Sequence, residues 1–286
     1  MRRHAKGSPL VPGRTVTSGH ALVTGACSGI GLEIARELGR RGYPLFLVSD
    51  REDRLCAAAH QLAAAHEVPV QTLLLDLAEP DAAACLKQEV SRRGVTVEIL
   101  VSNAGIFFFG EVADTEPRRA ERMLRLHVLT PSLLALHFGR EMRTRGRGHI
   151  LFVSSISAWR DFPGIAYYSA SKRYLRSFAI SLREELRVWG VNVTILAPGA
   201  TATNLFDHST VPVEKAVRYR VMKDPALTAR AAVRGMFNRK AVVVPGCSDK
   251  LMLLAMKLVP GSVIRAVRER SGLLPVPPHH GIPRSS

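Results

Sequence analysis

Residues 21–50 read ALVTGACSGIGLEIARELGRRGYPLFLVSD, and the order of residue types within them decides the fold. Ala21-Leu22-Val23 is a short apolar strand, and Thr24-Gly25-Ala26-Cys27-Ser28-Gly29-Ile30-Gly31 is a glycine-rich turn. A helix follows from about Gly29 to Arg41, and Pro44 to Ser49 returns as a second apolar strand. Two apolar strands joined through a helix specify a parallel crossover, whose strands are buried on both faces.

The rest of the chain repeats this unit. Helices are expected at Leu55–His66, Ala82–Arg93, Arg118–Arg145 (bent near Pro131), Ala166–Trp189 and Ala226–Phe237. Strands are expected at Val70–Leu75, Glu98–Val101, His149–Val153, Val191–Leu196 and Ala241–Val244. The fold class is therefore α/β: a doubly wound, mostly parallel, seven-stranded Rossmann-like sheet with helices on both faces, its ligand at the strands' carboxyl ends. Residues 198–225, with Pro198, Gly199, Pro212 and Pro225 and little periodicity, read as a lid or substrate loop. The expected organisation is a flexible basic leader at 1–19, a dinucleotide-binding and catalytic domain at 20–245, and a basic, partly apolar extension at 246–286.

The formal charge of +16 is not spread evenly. Residues 1–20 carry four basic and no acidic side chains, and residues 215–286 carry fourteen basic and three acidic ones. The body between them is nearly neutral, so no basic face marks a nucleic-acid reader. Basic ends suit an anionic surface, a membrane or an acidic substrate, or simply a solubilising tail. The apolar stretch 251–264 (LMLLAMKLVPGSVI) can lie on a membrane, pack on a second subunit or close the substrate pocket, and packing is the preferred reading. No apolar run reaches the roughly 18–20 residues a bilayer requires, and the N-terminus lacks the apolar segment of a secretory signal, so a cytoplasmic protein is expected, free or associated with a membrane surface. Cys27, Cys56, Cys85 and Cys247 are far apart and form no ligand-spaced pair, which points to a reducing compartment without disulfides or a metal site.

The glycine-rich turn offers backbone amides and a helix N-terminus to a pyrophosphate, which nominates Thr24, Gly25, Ser28, Gly29, Ile30 and Gly31. Asp50 ends the second strand nineteen residues after Gly31, where a carboxylate accepts the adenosine ribose hydroxyls and repels a 2′-phosphate. NAD is thus favoured over NADP, although the adjacent Arg51 would attract that phosphate. Asp76 and Leu77, after the third strand, are placed to border the adenine, and both aspartates can equally cap the following helix or turn.

Tyr168-Ser169-Ala170-Ser171-Lys172 carries the chemistry. Tyr168 and Lys172 are i and i+4 on one helix face. An ammonium beside a phenol favours the phenolate and should lower a pKa near 10. Tyr168 can then exchange a proton with a substrate oxygen, and Ser155, thirteen residues earlier at a strand end, can donate a hydrogen bond to the same oxygen. Tyr167 has no lysine four residues on.

With TGACSGIG at 24–31, SNAG at 102–105, SS at 154–155, YSASK at 168–172 and PG at 198–199, the chain resembles the short-chain dehydrogenase/reductase family over about residues 20–245. The resemblance implies that Asn103, Ala104 and Gly105 line the cofactor side, and that Lys172 also binds the nicotinamide ribose. It implies that Pro198, Gly199 and Thr203 belong to the segment contacting the carboxamide, and that homodimers or homotetramers form through the two long middle helices. Where the family commonly has an asparagine that holds a relay water, this chain has His127. A histidine there can substitute in the relay, slow it, or simply hold a structural partner. The reading is an NAD(P)-dependent oxidoreductase interconverting a hydroxyl and a carbonyl, on a hydrophobic alcohol or ketone. Its rivals are a dinucleotide-binding sensor or scaffold and a sugar-nucleotide epimerase or dehydratase.

Overall fold

The computed structural model of the chain describes residues 19–201 and 223–258. Its seven strands form one sheet: β1 (His20–Thr24), β2 (Leu45–Ser49), β3 (Val70–Leu74), β4 (Val97–Ser102), β5 (Gly148–Val153), β6 (Val191–Leu196) and β7 (Val242–Val243). Their order is β3-β2-β1-β4-β5-β6-β7, and every neighbouring pair is parallel. The chain leaves β1 toward β2 and β3, then crosses back to place β4 on the other side of β1. The β1 and β4 carboxyl ends therefore flank a crevice, the switch point of a doubly wound sheet.

Side chains alternate across a strand, and here both faces are apolar. Leu22, Phe46 and Leu100 face one core with Leu86, Phe138 and Leu175. Ala21, Val23 and Ile99 face the other with Ile34, Leu38, Leu62 and Met236. The first layer holds the helices α3 (Ala82–Arg92), α5 (Thr130–Arg145) and α6 (Ala166–Arg187). The second holds α1 (Gly29–Arg40), α2 (Glu52–His66) and α7 (Pro225–Phe237). A last described helix, α8, spans Gly246–Leu258.

Three boundaries differ from expectation for physical reasons. Helix α2 starts at Glu52 rather than Leu55, because its first turn is polar and exposed, and its Glu52 and Asp53 suit the positive end of the helix dipole. Strand β7 is two residues rather than four, pairing only with β6 at the sheet edge. The helix expected over 118–145 is α4 (Pro117–Leu124), a π-helical turn at Arg125–Leu129, and then α5. The Thr130 N–H bonds back to the Arg125 carbonyl and Pro131 has no N–H to offer, so the irregularity falls just before the proline.

Of the leader expected at 1–19, only Gly19 is described, and most of the irregular stretch 198–225 lies outside the described residues. In the apolar stretch at 251–264, Leu251, Met252 and Leu254 are exposed on α8 rather than packed within the chain. Among the described residues no helix is long and apolar enough to cross a membrane.

Candidate functional site

A cleft of about 600 Å³ opens at the carboxyl ends of the strands. One side is the turn after β1. Gly25 and Gly29 have φ of +62° and +56°, a region open to glycine at little cost. A side chain on Gly25 would meet the Ala104 Cα and Asn103 Nδ2, each at 2.9 Å. Ser28, the N-cap of α1, makes no capping bond with its side chain, so the first-turn amides carry no cap from that residue.

Thr24 and Asn103 join the ends of β1 and β4. The Thr24 hydroxyl donates to the Val101 carbonyl at 3.2 Å and accepts from the Asn103 and Ala104 amides at 2.9 and 3.1 Å. The Asn103 side chain donates to the Thr24 and Gly25 carbonyls at 2.9 and 3.1 Å. Of the residues the turn nominates, Gly25, Ser28, Gly29 and Ile30 line the cleft, and Thr24 and Gly31 do not. Gly31 is a packing residue, because a Cβ there would come within 2.3 Å of the Gly25 carbonyl oxygen.

The end of the cleft expected to hold an adenosine is charged and open. Asp50, Arg51, Arg54, Asp76, Leu77 and Arg122 line it. Arg122 of α4 pairs with Asp76 at 2.7 Å and lies 3.8 Å from Asp50, which is also 3.9 Å from Arg51. Asp76 accepts the Ala78 amide at 2.9 Å, so its turn role and its place at the cleft coexist. Arg54 and Arg122 had no sequence signal, because only the fold carries two helices to this rim.

The opposite end is buried. Ser155 lies two residues past the end of β5 and caps a short 3₁₀ turn, Ile156–Trp159, accepting from the Ser157 amide at 3.1 Å. Tyr168 and Lys172 project from the first turns of α6, and Tyr168 is hydrogen-bonded to Ser155. The Lys172 ammonium donates to the Val153 carbonyl at 3.1 Å, and the Ser154 hydroxyl donates to the Lys172 carbonyl at 2.9 Å. These bonds tie α6 to the end of β5. Phe107 packs edge-on against Tyr168, with ring centroids 4.9 Å apart, and Ile106 and Ile165 line the same wall.

The electrostatics at this end correct one expectation. The ammonium was expected to lower the phenol's pKa. Instead burial pushes Tyr168 up to about 12, with the Ser155 hydrogen bond only partly opposing it. Burial also pulls Lys172 down to about 8. The ammonium points to a backbone carbonyl and sits 5.6 Å from the centroid of the tyrosine ring, so desolvation dominates both groups.

His127 lies in the π-helical turn and is 1% exposed. Its Nε2 accepts from the Ile106 amide at 3.0 Å, so Nδ1 carries the proton and donates to the Ser171 hydroxyl at 3.0 Å. Ser171 in turn donates to the Tyr168 carbonyl at 2.8 Å. Burial first, and the nearby Lys172 second, hold the imidazole's pKa well below 6.5. Gly105 leaves room for this ring, since a Cβ there would lie 2.9 Å from Nε2.

Pro198, Gly199, Ala200 and Thr201 complete the wall beside Ser155, and Thr203 lies outside the described residues. The Gly199 amide donates to Asp249 of α8 at 3.0 Å, a contact across fifty positions that sequence spacing does not reveal. The boundary expected at 245/246 thus falls just before a helix that reaches back to the cleft.

A profile of the short chain dehydrogenase family matches residues 19–212. The dehydrogenase/reductase SDR family member 7B of Bos taurus is 29% identical over 263 residues, covering 87% of this chain and 80% of its own length. An uncharacterised oxidoreductase of Myxococcus xanthus is 35% identical over 191 residues, covering 65% of this chain and 75% of its own. A solved short-chain dehydrogenase from Sphingobium yanoikuyae in complex with NADPH superposes with a TM-score of 0.74 at 26% identity, covering 85% of this chain and 97% of that one.

Proposed function

The chain belongs to the short-chain dehydrogenase/reductase family, and we propose that it interconverts a hydroxyl and a carbonyl on a hydrophobic substrate, with Tyr168 as the group that moves the proton. The observation that carries this reading is the meeting of Tyr168, Ser155 and Lys172 at the buried end of a cleft whose other side is the glycine-rich turn after β1. The turn at Gly25–Ile30 fits a pyrophosphate, and Asp50 and Asp76 fit the hydroxyls and ring of an adenosine. A bound nicotinamide dinucleotide supplies or accepts the hydride.

The residues of the chain do the rest. Ser155 donates a hydrogen bond to the substrate oxygen and orients it toward Tyr168. With its pKa up at about 12, Tyr168 keeps its proton at neutral pH and is set to give it to the oxygen of a ketone as hydride reaches the carbon. Lys172 then stabilises the phenolate that forms, and its value near 8 leaves it mostly charged at pH 7. Phe107, Ile106 and Ile165 suit an apolar group beside the carbonyl. We assign His127 a bracing role between the Ile106 amide and α6 rather than a relay role, because both of its ring nitrogens are engaged.

At the adenosine end we propose a preference for NAD set by Asp50, narrowed by Arg51, Arg54 and Arg122, which would also attract a 2′-phosphate. A homo-oligomer is supported by the exposed Leu124, Leu129, Leu136 and Tyr174 along the long helices, and a peripheral membrane contact by the exposed Leu251, Met252 and Leu254. The test is Tyr168→Phe, assayed with NADH and NADPH on a panel of bulky ketones. The expected loss of kcat is about 10²–10⁴-fold with cofactor affinity nearly unchanged. Full turnover in that variant refutes the assignment.

A further inference from the structure

Asp249, which is buried, and Lys223, which is partly buried, form an ionic pair outside the machinery described so far. The Asp249 side chain is 5% exposed and that of Lys223 is 19% exposed, and their charged atoms lie 2.8 Å apart. The other Asp249 oxygen accepts the Gly199 amide at 3.0 Å. The Lys223 ammonium also donates to the Pro245 carbonyl, and its backbone amide donates to the Ala200 carbonyl at 3.0 Å, beside a parallel bridge between Thr201 and Lys223. Two glycines make the space. A Cβ on Gly199 would meet Asp249 Oδ1 at 2.6 Å, and a Cβ on Gly246, whose φ is +79°, would meet the Lys223 nitrogen at 2.7 Å.

The pair holds a particular wall. The Pro198 carbonyl accepts the Ile156 amide at 3.0 Å, which puts this wall next to the Ser155 turn and far along the cleft from Asp50. Hydride has to arrive beside Tyr168, so the nicotinamide half of a dinucleotide must lie at this end. We propose that Asp249 and Lys223 form a clasp through which helix α8 positions the Pro198–Thr201 backbone against the nicotinamide half of the cofactor. They are positioning residues, and the inference rests on the dinucleotide reading above. A charged pair suits the task because removing one partner leaves the other buried and unpaired, so the wall has one well-defined position.

The test compares ligands that differ only in the nicotinamide. NADH is titrated against ADP-ribose, and NADPH against its 2′-phosphorylated ADP-ribose, with the full chain and with Asp249→Asn, Lys223→Met and Lys223→Arg, each checked by thermal melting. Asp249→Asn and Lys223→Met should each weaken the dinucleotide about tenfold, near 1.4 kcal/mol, and change the ADP-ribose affinity by less than about twofold. Lys223→Arg should keep the wild-type ratio. If Asp249→Asn does not fold, Lys223→Met is decisive by the same criterion. Equal loss of both ligands, or loss of neither, overturns the clasp alone. A wild-type chain that binds no dinucleotide overturns the functional reading and the clasp with it.

Discussion

At one end of the cleft Lys172, His127 and Tyr168 are 5%, 1% and 8% exposed; at the other the side chains of Asp50, Asp76 and Arg122 are 45%, 29% and 41% exposed. Both ends hold titratable groups within reach of one another, yet different forces set their behaviour. Burial raises Tyr168 against the opposing Ser155 hydrogen bond, and burial lowers Lys172. At the open end water screens the charges, so three guanidiniums and two carboxylates coexist with only modest mutual influence. The buried end is therefore where single substitutions change rate and stability together. The open end is where they tune a preference.

Of the substitutions that separate the two ends, Lys172→Met should have the largest effect. Its ammonium is buried at a free-energy cost. The fall from 10.5 to about 8 means that the folded chain holds fewer protons than the unfolded chain between those values. The cost is full below about pH 8 and vanishes above about 10.5. Methionine removes it, so the variant should gain up to about 3 kcal/mol at pH 7, with the gap closing as pH rises toward 10. Its kcat for ketone reduction should drop by about two orders of magnitude or more. The wild-type rate should fall as pH climbs through about 8, where Lys172 loses its proton while Tyr168 keeps its own, and the variant should lack that limb. Urea unfolding at pH 7 and 10, beside a pH–rate profile, measures both. A variant less stable than wild type at pH 7 would show that desolvation does not rule this end.

His127→Leu comes next. It leaves the Ile106 amide and the Ser171 hydroxyl without their present partner, at a cost of about 1–3 kcal/mol for each group that stays buried. A brace predicts a lower melting temperature and a pH–rate profile of unchanged shape. His127→Asn, which retains a donor and an acceptor, should recover part of the loss. A profile whose limb shifts or disappears in His127→Leu would assign the imidazole to proton transfer after all.

What the sequence disclosed follows the same division. The sheet was legible because the inner strands are apolar on both faces apart from Asn192 and Thr194 of β6, and because Gly25, Asp50, Ser155, Tyr168 and Lys172 stand at or just past strand ends or on one helix turn, where local spacing decides position. The direction of the Tyr168 shift was not legible. Spacing brings an ammonium near a phenol but does not say how much water is left around them. Nor were Arg122 at the cleft, or Lys223 and Asp249 at its Pro198–Thr201 wall, each brought there by a helix or bridge distant in sequence. The π-helical turn that seats His127 was visible only as a bend expected near Pro131.

The smallest effect belongs to the open end. Asp50→Asn removes the charge that opposes a 2′-phosphate while Arg51, Arg54 and Arg122 remain. The ratio of kcat/KM for NADPH to that for NADH should rise about tenfold, a difference of about 1.4 kcal/mol. Arg122→Ala should move the ratio the other way by a few-fold, because Arg122 lies 3.8 Å from Asp50 and pairs more closely with Asp76. Both changes should shrink in salt, since the screening length falls from about 10 Å at 0.1 M to about 3 Å at 1 M. The effect of Tyr168→Phe should not shrink, because that phenol is shielded from mobile ions. Measuring all three variants at both salt concentrations sets the two ends against each other directly. A cofactor ratio that ignores salt would mean that Asp50 and Arg122 act through fixed contacts rather than a screened field.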